Sequence, residues 1–186
     1  MERSRSPKNS PKESPEESPK DPSKKKECNK PFYSNMVFYV YLVLVIFIML
    51  LGMFASQGFY KSDKYTNLNK SPLNPPNIVF PIVWTVLFAF IIIAGYLGDI
   101  SIESKLRTRY RILFAVMLLL NLMWTVFFVN GHFTLSLLDC IALLVINIIL
   151  CVWLFKANKV AFVLYLIYTI WVGFALYLNG YIWWNN

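Results

Sequence analysis

Apolar residues do not alternate with polar ones along most of this chain; they run on without a charge for about 20 positions at a time. The first such run covers 36–55, and at about 1.5 Å per helical residue it is long enough to cross the roughly 30 Å hydrocarbon core of a bilayer. Four more follow at 78–98, 112–129, 135–155 and 160–183. Lipid offers no water to exposed backbone groups, so each run must close its own hydrogen bonds as a helix; the strand-like alternation of a membrane barrel is missing. The pattern predicts an all-α membrane protein, a five-transmembrane-helix bundle over 32–186. One long loop and three short connections separate the spans, and the third and fourth are nearly continuous through Asn130, Gly131 and His132.

Residues 1–31 follow other rules. Ser6, Ser10, Ser14 and Ser18 each precede a proline, the stretch ends in Lys24, Lys25 and Lys26, and apolar side chains are almost missing, so it predicts a disordered Ser-Pro/Lys-rich tail. Ser-Pro is also what proline-directed kinases accept, and phosphate at those four serines would offset the lysines that attract anionic lipid. About 35 largely polar residues precede the first apolar run, which reads as a retained anchor and not as a secretory signal.

Composition adds little to a pattern this strong: 57% of the 186 residues are hydrophobic. The net charge of +8 would suit nucleic acid, but the basic residues sit in the tail and in short loops, where membrane topology accounts for them. One side collects the tail, Lys105, Arg107, Arg109, Arg111, Lys156 and Lys159, whereas the other holds only Lys61, Lys64 and Lys70. The positive-inside rule then puts the N-terminus in the cytoplasm and the C-terminus across the membrane, in an organelle the charges do not name. Tyr177, Tyr181, Trp183 and Trp184 read as an interfacial aromatic collar at the far end. Cys28, Cys140 and Cys151 have no metal-ligand spacing; Cys28, just before a span, is a candidate for palmitoylation.

Catalytic constellations are sparse. There is one histidine, His132, in a loop, and no carboxylate cluster or Gly-rich phosphate loop, so no cofactor is required. Asp139 falls in the first turns of the fourth span, where the helix dipole favours a capping carboxylate. Inside the spans, Tyr168, Trp171, Ala175, Leu178 and Asn179 share one helical face, as do Trp84, Phe88, Ile91 and Gly95, and as do Asn121 and Trp124. Amides in hydrocarbon need partners, so Asn121, Asn147 and Asn179 should point into the bundle. Two readings follow: interhelical hydrogen bonds with aromatic packing, or an indole-lined pocket for a flat apolar ligand. The proline-rich loop with Pro72, Pro75, Pro76 and Pro81 reads either as a rigid start to the second span, with Asn77 as its N-cap, or as a lid.

Leu68, Lys70, Pro75, Pro76, Val79, Val83, Trp84 and Leu87, then Asn121, Trp124 and Asp139, then Tyr168, Trp171, Phe174, Ala175, Leu178 and Asn179 together resemble the motifs of the translocator protein family, the tryptophan-rich sensory proteins or peripheral-type benzodiazepine receptors. The resemblance covers about residues 36–186. It implies a five-helix bundle, often a homodimer, that binds porphyrin, haem or sterol in a pocket closed by the first loop. It further implies that Trp84 and Trp171 match tryptophans linked to light-dependent porphyrin breakdown, and that Ala175 matches a position touching synthetic ligands. Departures are Leu73 and Leu135, where the family carries tryptophans, and the absence of Lys or Arg after Tyr181, which disfavours the family's proposed sterol motif.

Three functions are weighed on this basis. The first is a receptor or carrier for tetrapyrroles, protoporphyrin IX or haem, with Trp84, Phe88, Trp124, Trp171 and Ala175 against the ring, Asn121 and Asn179 orienting it, and Pro75 and Pro76 in the covering loop. The second is an enzyme that degrades porphyrin under light through Trp84 and Trp171. The third is a sterol-binding or interaction protein regulated through its tail, with Gly52 and Gly95 available for contacts within or between protomers.

Overall fold

A computed structural model describes residues 30–186, with side chains from Asn35 onward. Ser6, Ser10, Ser14, Ser18 and Cys28 lie outside the described residues. The elements are α1 (Lys30–Ala55), α2 (Asp63–Thr66), α3 (Val79–Ser101), α4 (Ser104–Val129), α5 (Phe133–Ala157) and α6 (Lys159–Asn185), with a single 3-10 turn at Phe59–Lys61 before α2. All except α2 and the turn are long and apolar enough to span a membrane, which makes five spans, and no strand occurs among the described residues.

The helices outrun the apolar stretches that predict them. α4 starts at Ser104 and so takes in Lys105, Arg107 and Arg109; long basic side chains reach the interface while their backbone stays helical. One residue separates α5 from α6, and its side chain caps the latter: Asn158 Oδ1 accepts from Ala161 N at 3.0 Å. Two expected caps are corrected. Asn77 does not cap α3, which begins at Val79 with Ile78 in the cap position; its amide instead donates to Tyr60 O at 3.2 Å. Asp139 lies beyond the first turn of α5, buried, and its Oδ2 has no hydrogen-bond partner, so it caps nothing.

Around the bundle α1 packs on α3 and α4, α3 on α6, α6 on α5, and α5 on α4. Although consecutive in sequence, the α3 and α4 backbones approach each other closely at few points and meet mainly through long side chains, while each packs more closely on α1. At the end where α3 gives way to α4, one carboxylate ties all three. Asp99 accepts from Arg111 at 2.8 and 3.0 Å and from the Tyr41 hydroxyl at 3.1 Å, with Arg107 Nε 3.5 Å away. A carboxylate that is 1% exposed needs such partners.

Beside this cluster the α3 backbone is tightly packed at two glycines, although a space of about 330 Å³ opens between α1 and α4 next to Asp99 and Arg111. A Cβ placed on Gly95 would lie 2.6 Å from Tyr41 Cδ1 and 2.7 Å from Phe114 Cζ. On Gly98 it would lie 2.5 Å from Leu154 Cδ2 and closer still to the Tyr110 hydroxyl, which donates to Gly95 O at 3.2 Å. Gly95 is therefore used for packing within one chain. At the opposite end the 56–78 loop folds over the helix termini. Phe59 and Tyr65 cluster with Phe128 and Ile182, and Asn69 and Asn186 exchange hydrogen bonds.

Gly98→Ala should therefore lower the melting temperature in detergent, at a cost of about 1–3 kcal/mol from overpacking. Gly173→Ala, where the added methyl meets nothing within 4 Å, should stabilise by about 0.5–1 kcal/mol. Equal effects of the two substitutions would contradict the packing described.

Candidate functional site

Toward the loop end, α1, α3 and α4 part and leave a cavity of about 510 Å³. Its body is apolar, from Ile48 and Met49 on α1, Phe80, Trp84 and Phe88 on α3, and Trp124 on α4, while Asn121 and Thr125 add polar atoms. Periodicity puts Phe80, Trp84 and Phe88 there, since residues four apart on a helix share a face. Trp84 sits at the centre of this aromatic set, with ring centroids 5.7 Å from Phe88, 6.0 Å from Trp124 and 6.4 Å from Tyr168.

Behind the Trp84 and Trp124 indoles, toward α6, lies a second space of only about 20 Å³, lined by Trp171, Ala175 and Asn179 among others. Tyr60 and Phe80, stacked at 6.0 Å, border both spaces, and Phe80 separates Trp171 from the larger one with centroids 6.3 Å apart. The sequence-predicted residues thus divide. Trp84, Phe88, Asn121 and Trp124 meet at the large cavity, whereas Trp171, Ala175 and Asn179 meet at the small one, with Trp84 and Trp124 as the shared wall. Pro75 and Pro76 line neither, although their neighbours Asn74 and Asn77 line one each.

The amides are engaged across helices. Asn121 Nδ2 donates to the Tyr168 hydroxyl at 3.1 Å, and that hydroxyl points on to Met117 Sδ at 3.5 Å. Asn179 and Ser136 are bonded at 3.1 Å, and Asn147 Oδ1 accepts from Tyr165 at 2.6 Å. Two indole N–H groups are not engaged: Trp124 Nε1 and Trp171 Nε1 are buried without a hydrogen-bond partner among the described residues. An occupant with a suitably placed acceptor would satisfy a donor that otherwise costs about 1–3 kcal/mol.

The loop supplies Tyr60, Lys61 and Asn77 to the larger cavity. No sequence signal marks the first two, because a loop has no periodicity that assigns its side chains to a face; Phe80, four residues before Trp84, does carry that signal, since it continues the Trp84 and Phe88 face. The loop is held by Lys64 Nζ on Asn130 O at 2.9 Å and by Lys70, which donates to Tyr65 O at 2.7 Å and sits 4.3 Å over the Tyr65 ring. Burial raises the Tyr65 phenol above its ordinary pKa, against an opposing effect of the Asn74 side chain, so it stays neutral under the loop. His132 is exposed at the start of α5 and makes no side-chain cap. No group of three or more metal-ligating side chains occurs among the described residues.

Because the Asn121 amide joins α4 to α6, Asn121→Leu should lower the melting temperature by a few degrees, the equivalent of about 1–2 kcal/mol for a bond between membrane helices. An unchanged melting temperature would mean that the amide serves no structural role.

With this geometry in hand, the chain can be set beside known proteins. It is 39% identical over 118 residues to the tryptophan-rich protein TspO of Chlorobaculum tepidum, covering 62% of this chain and 74% of that protein. It is 27% identical over 121 residues to the protein CrtK of Rhodobacter capsulatus, covering 64% and 76% respectively. The family model described as TspO/MBR matches residues 38–184, which takes in all five spans. A multi-pass helical membrane protein with tryptophans on the inner faces of its helices, this chain belongs to the TspO/MBR family.

Proposed function

We propose that this chain is a membrane receptor or carrier that holds a flat tetrapyrrole, protoporphyrin IX or haem, in the cavity between α1, α3 and α4. The observation that carries the reading is the cavity itself. At about 510 Å³ it falls within the roughly 300–1,000 Å³ typical of small-molecule sites. Its indole and phenyl walls suit a conjugated ring by stacking. Exposed Met53, Ile78, Pro81 and Thr85 line the seam between α1 and α3, so a lipophile can reach the site from the bilayer.

Binding is favoured over photochemical breakdown because the two tryptophans implicated in the latter are not placed alike. Trp84 lines the large cavity, whereas Trp171 lies behind Phe80 at the small one. The excess of basic residues on the tail's side supports a cytoplasmic N-terminus by the positive-inside rule.

The test is tryptophan-fluorescence quenching by protoporphyrin IX in detergent, in the dark and under light, corrected for each lost fluorophore. The wild type should saturate, Trp84→Leu should weaken binding about tenfold by removing a stacking face, and Trp171→Leu should change affinity less. A new absorbing species on illumination that depends on Trp84 and Trp171 would favour the enzyme. If folded protein shows no saturable quenching, the tetrapyrrole assignment fails.

A further inference from the structure

Three lysines lie at the loop end of the bundle, and two of them are committed. Lys64 donates to Asn130 O, and Lys70 donates to Tyr65 O and Thr66 O while covering the Tyr65 ring. Lys61 differs. Its ammonium makes no hydrogen bond or ion pair with the described residues, and it borders the 510 Å³ cavity. The 3-10 turn Phe59–Lys61 fixes where it stands. Phe59 is buried against Tyr65 and Phe128, and Tyr60 stacks on Phe80 and accepts the Asn77 amide through its carbonyl. The turn is pinned on both sides, so the following residue is held at the cavity rim.

We infer that Lys61 is a specificity-determining residue that receives a carboxylate of the bound ligand, so the site selects flat apolar molecules with an acidic edge over neutral ones of the same shape. The inference rests on the tetrapyrrole reading and deepens it. The cavity is polarised along its length. Deep in the bundle it is closed by Phe88, Ile48 and the Asn121 amide, which is already bonded to Tyr168, and at the loop end it is bordered by Lys61 and Asn77. A ring lying against Trp84 and Trp124 thus has one wet edge, and the cation stands at that edge. An acid group pushed to the closed end would lose its hydration with no cation facing it. At the rim it keeps water and gains the ammonium. The only described carboxylate in the loop segment, Asp63, makes no ion pair with Lys61 that would neutralise it.

Ion pairs at a water-exposed rim are modest, so the expected discrimination is about fivefold and shrinks with added salt. The experiment compares protoporphyrin IX with its dimethyl ester, which has the same ring and no acid, on the full chain in nanodiscs of zwitterionic lipid, with protein-free nanodiscs correcting for partition. Wild type should bind the diacid about fivefold more tightly than the diester. Lys61→Met should bring the diacid down to the diester's affinity, Lys61→Arg should restore the gap, and Lys64→Met should retain it. Equal wild-type affinity for the two compounds, or a gap that survives in Lys61→Met, overturns the role of Lys61 while leaving the cavity as the binding site. Failure of both compounds to bind saturably removes the site and this inference together. A gap abolished by adding anionic phospholipid to the wild-type nanodiscs, with diester binding maintained, would show that lipid phosphate competes for the ammonium and supports its role as an anion receptor.

Discussion

The placement of α1, α3 and α4 relative to one another leans on one buried carboxylate. Asp99 draws Arg111 and Arg107 from α4 and Tyr41 from α1 onto the last turns of α3. A charge so deeply buried is tolerable only when several donors converge on it, so the three helices are fixed relative to one another at that point. Arg111 is 44% exposed, and water screens its part of the interaction; the constraint is mainly geometric. Gly95 and Gly98 let the phenol rings of Tyr41 and Tyr110 press against the α3 backbone beside it.

The other end of the same three helices behaves differently. No ion pair among the described residues draws α1, α3 and α4 together there, and indole and phenyl side chains line the 510 Å³ cavity between them. The loop closes over this end through aromatic contacts and lysine hydrogen bonds to carbonyls. Such a cover is weaker than the helices it rests on, because it buries few residues and much of it is exposed. The Asp99 end is tied by charge, although a space of about 330 Å³ opens beside it between α1 and α4, and the roomier cavity between α1, α3 and α4 lies at the loop end.

Much of the fold was written openly in the sequence, because a span of apolar residues in lipid has few structural options. Helix ends were not, since the basic residues that end an apolar run, such as Lys105 and Arg107, remain helical at the interface. The inward orientation of Asn121 and Asn179 was legible from the cost of a bare amide in hydrocarbon. Their partners Tyr168 and Ser136 were not, because periodicity gives a face but never the neighbour it meets. That limit also explains why Trp171, Ala175 and Asn179 were grouped with Trp84 and Phe88. Only the packing of α1 on both α3 and α4 puts the larger space on the far side of the Trp84–Trp124 wall. Asp99 carries no signal of its role in the sequence, because a charge at the end of a span looks like a boundary.

The orphan N–H of Trp124 has a thermodynamic consequence of its own. A phenyl ring at that position would fill much of the same wall without a donor, so the indole is not what folding stability alone would choose. Holding a donor unsatisfied by the described residues leaves the bundle short of its maximal stability. Any partner able to bring an acceptor to it would stabilise the folded chain in proportion to its own occupancy, and resistance to unfolding would then report on what surrounds the protein.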